Sequence, residues 1–324
     1  MLHQPKKMMD TLTDDAEIPA EAAANPSFQA IEPPQEDELL VIVGPTASGK
    51  TELAVRLAET FNGEVINADS VQIYRDYNIG SGKPTAEEQA RAPHHLVSIA
   101  DPRSPIDAMG FADLAERAIA EIRSRGRTPI VCGGTFLWIK SLVFGLAPAP
   151  PASAEIRSKH AAFAAKEGRK ALHEKLASVD PESAARLAPN DLVRVSRALE
   201  IFELSGKPQS QFFSEHGFRE SKHRARFCGV SLSRENLDQR IRDRAQKWLG
   251  SGWIEEVTAL LAQGHKDSRA MGSVGYKQVR AFVEGELGRQ ELEDTIVRAT
   301  RVFARRQRTW LRDQPVSYYT LETT

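Results

Sequence analysis

Apolar residues cluster along this chain in two patterns. Short unbroken runs, Leu39-Leu40-Val41-Ile42-Val43 and Thr128-Pro129-Ile130-Val131-Cys132, have the length and β-branched content of strands buried on both faces. Longer segments repeat their apolar positions with a helical period. Residues 108–124 place Phe111, Leu114, Ala115, Ala118, Ile119 and Ile122 on one face and predict an amphipathic helix. The two patterns alternate: strand 39–43, helix 52–60, strand 64–68, a third strand at 93–99, helix 108–124, strand 128–132. Alternation of this kind predicts an α/β fold with a parallel, doubly wound sheet.

The Pro- and Ala-rich residues 147–153 interrupt the alternation. Helical patterns then run over 154–167, 170–178, 181–187 and 192–205 with no strand between them, so 147–215 reads as a helical insertion. Strand character returns at 227–233, and 235–263 and 292–312 read as helices. The core is therefore expected to comprise 38–146 and 216–315. Residues 1–37, acidic and rich in Ala and Pro, read as a disordered tail, and 316–324 as a C-terminal tail.

Net charge is −1, but it is unevenly spread. Residues 1–37 hold two lysines against eight acids, whereas 216–315 hold 20 Lys/Arg against 13 Asp/Glu. That asymmetry points to a polyanion for the C-terminal half. Arg298, Arg301, Arg305, Arg308 and Arg312 recur at spacings of 3, 4, 3 and 4 and share one helix face, with Ile296, Ala299, Phe303 and Trp310 on another. Guanidinium forks in such a row suit phosphates. The two cysteines, Cys132 and Cys228, lack metal-ligand spacing and read as reduced, buried thiols. No apolar run is long enough to span a membrane and no targeting segment is evident, so a cytoplasmic protein is expected.

The strongest chemical signal is Gly44-Pro45-Thr46-Ala47-Ser48-Gly49-Lys50-Thr51, set between the first strand and the first helix. In this context the loop N–H groups and the helix dipole cradle phosphate oxygens. Lys50 would bridge the phosphates and Thr51 would hold Mg²⁺. A di- or triphosphate ligand follows, though not its use. Asp69 closes the second strand and Thr135 follows the strand ending at Gly133-Gly134. Ligands of doubly wound sheets bind beyond the carboxyl ends of the strands, where one crevice can gather all three segments. Asp69 has three open readings from spacing alone: metal ligand, general base or helix N-cap.

These motifs resemble, in order, those of the tRNA dimethylallyltransferases. The resemblance runs through Asp69-Ser70-Val71-Gln72-Ile73-Tyr74-Arg75, Ile79 to Thr85, Pro93-His94-His95-Leu96, Gly133-Gly134-Thr135, Asp191 to Glu200, Ser205-Gly206-Lys207-Pro208, Val274-Gly275-Tyr276-Lys277 and Thr300 to Arg312, covering about 39–315. It implies transfer of a dimethylallyl group from dimethylallyl diphosphate to N6 of the adenosine 3′ to the anticodon, in tRNAs reading codons that begin with U. It also implies that residues 44–51 grip the diphosphate and that Asp69 is the catalytic base. Thr135 would contact the target nucleotide. An arginine, Arg244 ahead of Arg240, would reach the diphosphate. Implied tRNA contacts are Asp69, Ser70, Val71, Gln72, Arg157, Val193, Arg194, Val195, Ser196, Arg197, Gly272, Ser273, Val274, Gly275, Tyr276 and Lys277. A monomer is expected. The zinc finger of eukaryotic relatives has no counterpart, because no Cys/His set follows residue 265. Two competing readings are a small-molecule or nucleotide kinase, which would consume ATP, and a non-catalytic RNA-binding module, indifferent to Asp69.

Overall fold

The computed structural model describes residues 25–217 and 221–321. They fall into two compact units, one drawn from Met1–Ile139 and Ala225–Thr324, the other Lys140–Arg224.

The first unit is built on one sheet. Its strands are β1 Glu38–Val43, β2 Gly63–Asn67, β3 His94–His95, β4 Thr128–Gly133, β5 Arg224–Val230 and β6 Val316–Tyr319, in the order β3-β2-β4-β1-β5-β6. β1–β4, β2–β4, β2–β3 and β5–β6 all pair parallel. Its helices are α1 Lys50–Thr60, α2 Ala86–Arg91, α3 Ala108–Ser124 and the start of α4 Phe136–Phe144, then α10 Arg234–Leu249, α11 Trp253–Ala262, α12 Tyr276–Val283 and α13 Arg289–Arg312. Leu39 to Val43 and Ile130 to Cys132 are buried, as their unbroken apolar runs require. The register aligns Val43 with Gly133 and Asn67 with Cys132. The chain therefore leaves β1, β4 and β2 at one level, and Gly44, Thr135 and Asp69 follow directly.

Several expectations are corrected. The third strand shrinks from 93–99 to His94–His95, because Leu96 and Ser98 take positive φ (60° and 56°) and turn the backbone out of the ladder. The single helix expected over 235–263 is two, α10 and α11, separated at Gly250-Ser251-Gly252. β6, Val316–Tyr319, takes up the first part of the expected C-terminal tail. Residues 25–37 are not a disordered tail: Phe28 N donates to Thr320 O (3.1 Å), Thr320 N donates to Pro26 O (3.0 Å), and Ile31 is buried in the core. Residues 1–24 lie outside the described residues.

The second unit contains the rest of α4, then α5 Ala154–Glu167, α6 Arg169–Val179, α7 Pro181–Arg186, α8 Leu192–Ser205 and α9 Gln209–His216. Leu172, Leu176, Val195, Ala198 and Leu199 form its core. Glu200 is fully buried there. It accepts from Ser153 N (2.6 Å), from Arg157 Nε and Nη2 (both 3.0 Å) and from Arg197 Nη1. The two arginines and the backbone N–H hold its carboxyl below the usual carboxylate range against the desolvation that opposes ionisation. Removing this carboxylate strands two cations and a backbone donor. Glu200→Ala is expected to destabilise this unit by about 3 kcal/mol. A urea titration of the whole chain followed by far-UV circular dichroism checks it; an unchanged midpoint contradicts it.

Candidate active site

The phosphate loop leaves β1 and enters α1 with Ala47 (φ 67°) and Gly49 (φ 95°) in left-handed conformations. Left-handed residues alternating with right-handed ones turn backbone N–H groups toward a common centre. Ser48 Oγ is buried with no hydrogen-bond partner, so the loop encloses a polar atom that its own residues do not satisfy. Lys50 follows in the first turn of α1. Burial lowers its pKa, the negative charge of Asp69 opposes that effect, and Arg244 adds to it. Cys132 lies below the loop, its Sγ 3.6 Å from Lys50 O, with its thiol pushed up to about 12 by burial. It is a free, buried thiol, as is Cys228.

Asp69 lies just beyond β2. Its Oδ1 accepts from Val71 N (2.9 Å) and Gln72 N (3.3 Å), which fixes the carboxylate. Asp69 closes a turn and caps no helix, since none follows before α2, and a second oxygen is left for other work. Thr135, just beyond β4, accepts from Ser70 N at 3.0 Å. Gln72 does not face outward: its Nε2 donates to Ser81 O (3.1 Å) and Gly82 O (2.8 Å), closing the loop after Asp69.

On the other side stands α10. Arg244 Nη2 donates to Thr46 Oγ1 at 2.6 Å, and its guanidinium carbon lies 4.5 Å from the Trp248 ring centroid. Desolvation brings its pKa down to about 10, with Asp69 pulling the other way. Arg240 is more peripheral, exposed and 3.4 Å from Ser48 O. Between these elements is a cavity of about 270 Å³. Thr46, Asp69, Thr135 and Arg244 line its polar side, while Ile241, Trp248, Trp253, Ile296 and Phe303 supply apolar surface. Ser70, Val71, Gly272, Ser273, Val274 and Gly275 also border it.

Not every expected contact residue is available. Tyr276 is fully buried, and its hydroxyl donates to Glu256 Oε1 (2.7 Å), which with burial raises its pKa. Lys277 is exposed. Within the second unit, Val195 and Ser196 are buried, and Ser196 Oγ bonds His160 Nδ1 (2.9 Å); their side chains do not reach the surface. Arg157 and Arg197 are pinned by Glu200, and Arg194 pairs with Asp191, leaving Val193 as an exposed apolar residue. The expected faces of α13 also shift. Its buried positions are Leu292, Ile296, Val297, Thr300, Ala304, Gln307 and Leu311, while Phe303 faces the cavity and Trp310 stacks on Phe136 at 4.1 Å. In the arginine row, Arg301 pairs with Asp238 and Arg312 with Asp313.

Two structural residues had no motif to announce them. Glu256 accepts from Asn78 N (2.9 Å) and Ile79 N (2.8 Å) as well as from Tyr276, and so anchors the loop over the cavity. Trp253 fills the space beside Gly80, where a Cβ would stand 2.0 Å from the indole Nε1. Only glycine permits that approach.

Residues 72–314 match the family model for IPP transferase, and 37–96 match that for isopentenyl transferase. The chain is 64% identical over 302 residues to the tRNA dimethylallyltransferase of Sorangium cellulosum (strain So ce56), covering 93% of this chain and 96% of that one. Its counterpart from Geobacter sulfurreducens is 48% identical over 279 residues, covering 86% and 90%. Among solved structures, the full-length tRNA isopentenylpyrophosphate transferase of Bacillus halodurans is similar with a TM-score of 0.65 and 37% identity, over 88% of this chain and 90% of that chain. A eukaryotic dimethylallyltransferase acting on tRNA is similar with a TM-score of 0.70 and 29% identity, over 85% and 70%. A phosphate loop, a fixed carboxylate and an arginine meeting at one cavity are thus found in a chain that belongs to the IPP transferase family of tRNA dimethylallyltransferases.

Proposed function

We propose that this cavity is where the dimethylallyl group passes from its diphosphate to N6 of the adenosine 3′ to the anticodon, in tRNAs reading codons that begin with U. The observation that carries the proposal is the convergence of Asp69, Thr135, Thr46 and Arg244 on one cavity. Membership of the family favours this reaction over phosphate transfer by a kinase.

The exocyclic amine of adenine is a weak nucleophile, because its lone pair is delocalised into the ring. Asp69 Oδ1 is held by two backbone N–H groups, and Oδ2 takes the proton from N6 as the amine attacks C1 of the allyl chain. The new bond is N6–C1; the C1–O bond breaks, and its electrons leave with the diphosphate. Fixed positive groups must meet that charge as it develops. Lys50, the loop N–H groups and Arg244 stand on that side, and the apolar wall formed by Ile241, Trp248 and Phe303 suits the allyl chain. A stacked adenine cannot reach such a cavity, so the target is a loop nucleotide turned out of its stack. Ser273 and Val274 border its path, and Thr135 orients it. The exposed arginines of α13 meet phosphates of the stem.

Mg²⁺ is part of the proposal. The donor set fits an ion that takes most of its ligands from phosphate and water: Thr51 stands half-buried in the first turn of α1, and no cluster of three His, Cys, Asp or Glu is present among the described residues. When bound, the ion neutralises charge on the leaving diphosphate, and Thr51 is the residue that would hold it. The proposal further takes the chain to act as a monomer in the cytoplasm. No helix among the described residues is long and apolar enough to cross a membrane.

Incubation with Mg²⁺, dimethylallyl diphosphate and unmodified tRNA, followed by nucleoside mass spectrometry, is expected to show one isopentenyl group added to adenosine. Asp69→Ala is expected to cut turnover by roughly 10²–10⁴-fold while tRNA affinity, read by filter binding, stays within a few-fold. Unchanged turnover removes Asp69 from the base role. The two arginines separate by their contacts. Arg244→Ala is expected to weaken inorganic diphosphate binding by about tenfold or more and Arg240→Ala by about threefold or less, reflecting one short charged hydrogen bond against an exposed contact. Isothermal titration calorimetry measures both, and the reverse ranking contradicts the assignment.

A further inference from the structure

Gln307 is buried on α13, outside the cavity lining, and bonds to both walls of the site. Its Oε1 accepts from Thr46 N at 2.8 Å, and its Nε2 donates to Gly134 O at 3.0 Å. One bond needs an acceptor and the other a donor, so a carboxamide in one orientation meets both. The fit is close: a Cβ at Gly134 would stand 2.5 Å from Gln307 Nε2. The two bonded residues are neighbours of the chemistry. Thr46 carries the hydroxyl that receives Arg244, and Gly134 precedes Thr135, which meets Ser70 beside Asp69.

We infer that Gln307 is a positioning residue that sets the distance between the cationic wall and the carboxylate wall of the cavity. It does so by holding the Thr46 amide and the Gly134 carbonyl on a single side chain. Thr46 N–H is committed to this bond, so the phosphate-facing amides are those that follow it in the loop. Loss of the bridge frees the loop to move relative to the end of β4, and Arg244 then no longer faces the same atoms as Asp69. The inference rests on the transfer reaction proposed for the cavity.

The test is Gln307→Glu, which keeps size and shape. Its carboxylate still accepts from Thr46 N–H, but the second oxygen faces the Gly134 carbonyl and repels it. Protonation restores a donor there, so the defect is present at high pH and relieved as pH falls through the raised pKa of this buried carboxyl. At about pH 8 kcat is expected to fall roughly 10–100-fold, with KM for tRNA within about twofold, since one buried acceptor loses its partner. The ratio of variant to native kcat is expected to rise about fivefold or more on going to about pH 5.5. Arg244, bonded to Thr46, stays charged over this range, and taking the ratio cancels the pH effects common to both proteins. Gln307→Met, which offers no donor and only a weak acceptor, is expected to be impaired at both pH values. A ratio that does not change with pH, or native turnover in Gln307→Met, overturns the inference. Should the native chain transfer no dimethylallyl group, the proposed reaction fails, and calorimetry with inorganic diphosphate still reads the bridge. Binding weakened in Gln307→Glu at about pH 8 and recovered at about pH 5.5, relative to native, supports it; equal binding at both overturns it.

Discussion

The parallel register of β4 between β1 and β2 is the constraint on which the site depends. Val43 aligned with Gly133, and Asn67 with Cys132, bring three strand ends to one level. Loops leaving those ends start within reach of one another, so a phosphate loop, a carboxylate and a threonine hydroxyl need only short excursions to converge. Backbone hydrogen bonds across the ladder, and apolar side chains buried on both faces, hold the level without any functional group having to do so. The polar residues above are thereby free to be arranged for chemistry. Helices α10 and α13 complete the arrangement, contributing Arg244 and Gln307 at opposite ends of Thr46.

What could be read from residue order was what physical chemistry makes local. An unbroken apolar run, a glycine-rich turn and a helical period each announce themselves within a dozen residues, so the α/β class, β1, β4, α3, α5 and α8 were legible. The third strand was not, because positive φ at Leu96 and Ser98 carries no glycine to signal it. Gln307 and Glu256 were hidden for a different reason. A lone polar residue in a helix resembles a solvated one until its partners, hundreds of residues away or on another helix, are known. Trp253 is visible as an aromatic, but nothing near it in sequence says that it packs on Gly80 and Gly275.

Arginines gave the opposite lesson. In the helical unit, Arg157 and Arg197 look like phosphate ligands by charge and motif, yet both are bound to the fully buried Glu200. A buried carboxylate needs its cations to remain charged, so these side chains first serve the stability of that unit. Positive charge in a sequence measures what a surface can offer only after internal partners are subtracted. α13 shows the same sharing, with Arg301 and Arg312 paired to acids while the row, apart from the half-buried Arg308, is exposed.

Residues 25–31 and 316–321 bear on how the chain is made. Ser27 bridges Thr320, Phe28 and Thr320 exchange backbone bonds with each other's neighbourhood, and a Cβ at Gly49 would lie 3.2 Å from Leu321 Cδ1. Pairings between segments nearly three hundred residues apart close late, because the loop entropy between them must be met first. On a translating ribosome the phosphate loop emerges early, yet its flank is covered only when 316–321 has been synthesised. Until then the β5 edge stands open as a template for other strands. The sheet thus acquires its last border and its ligand loop acquires its last neighbour in the same event.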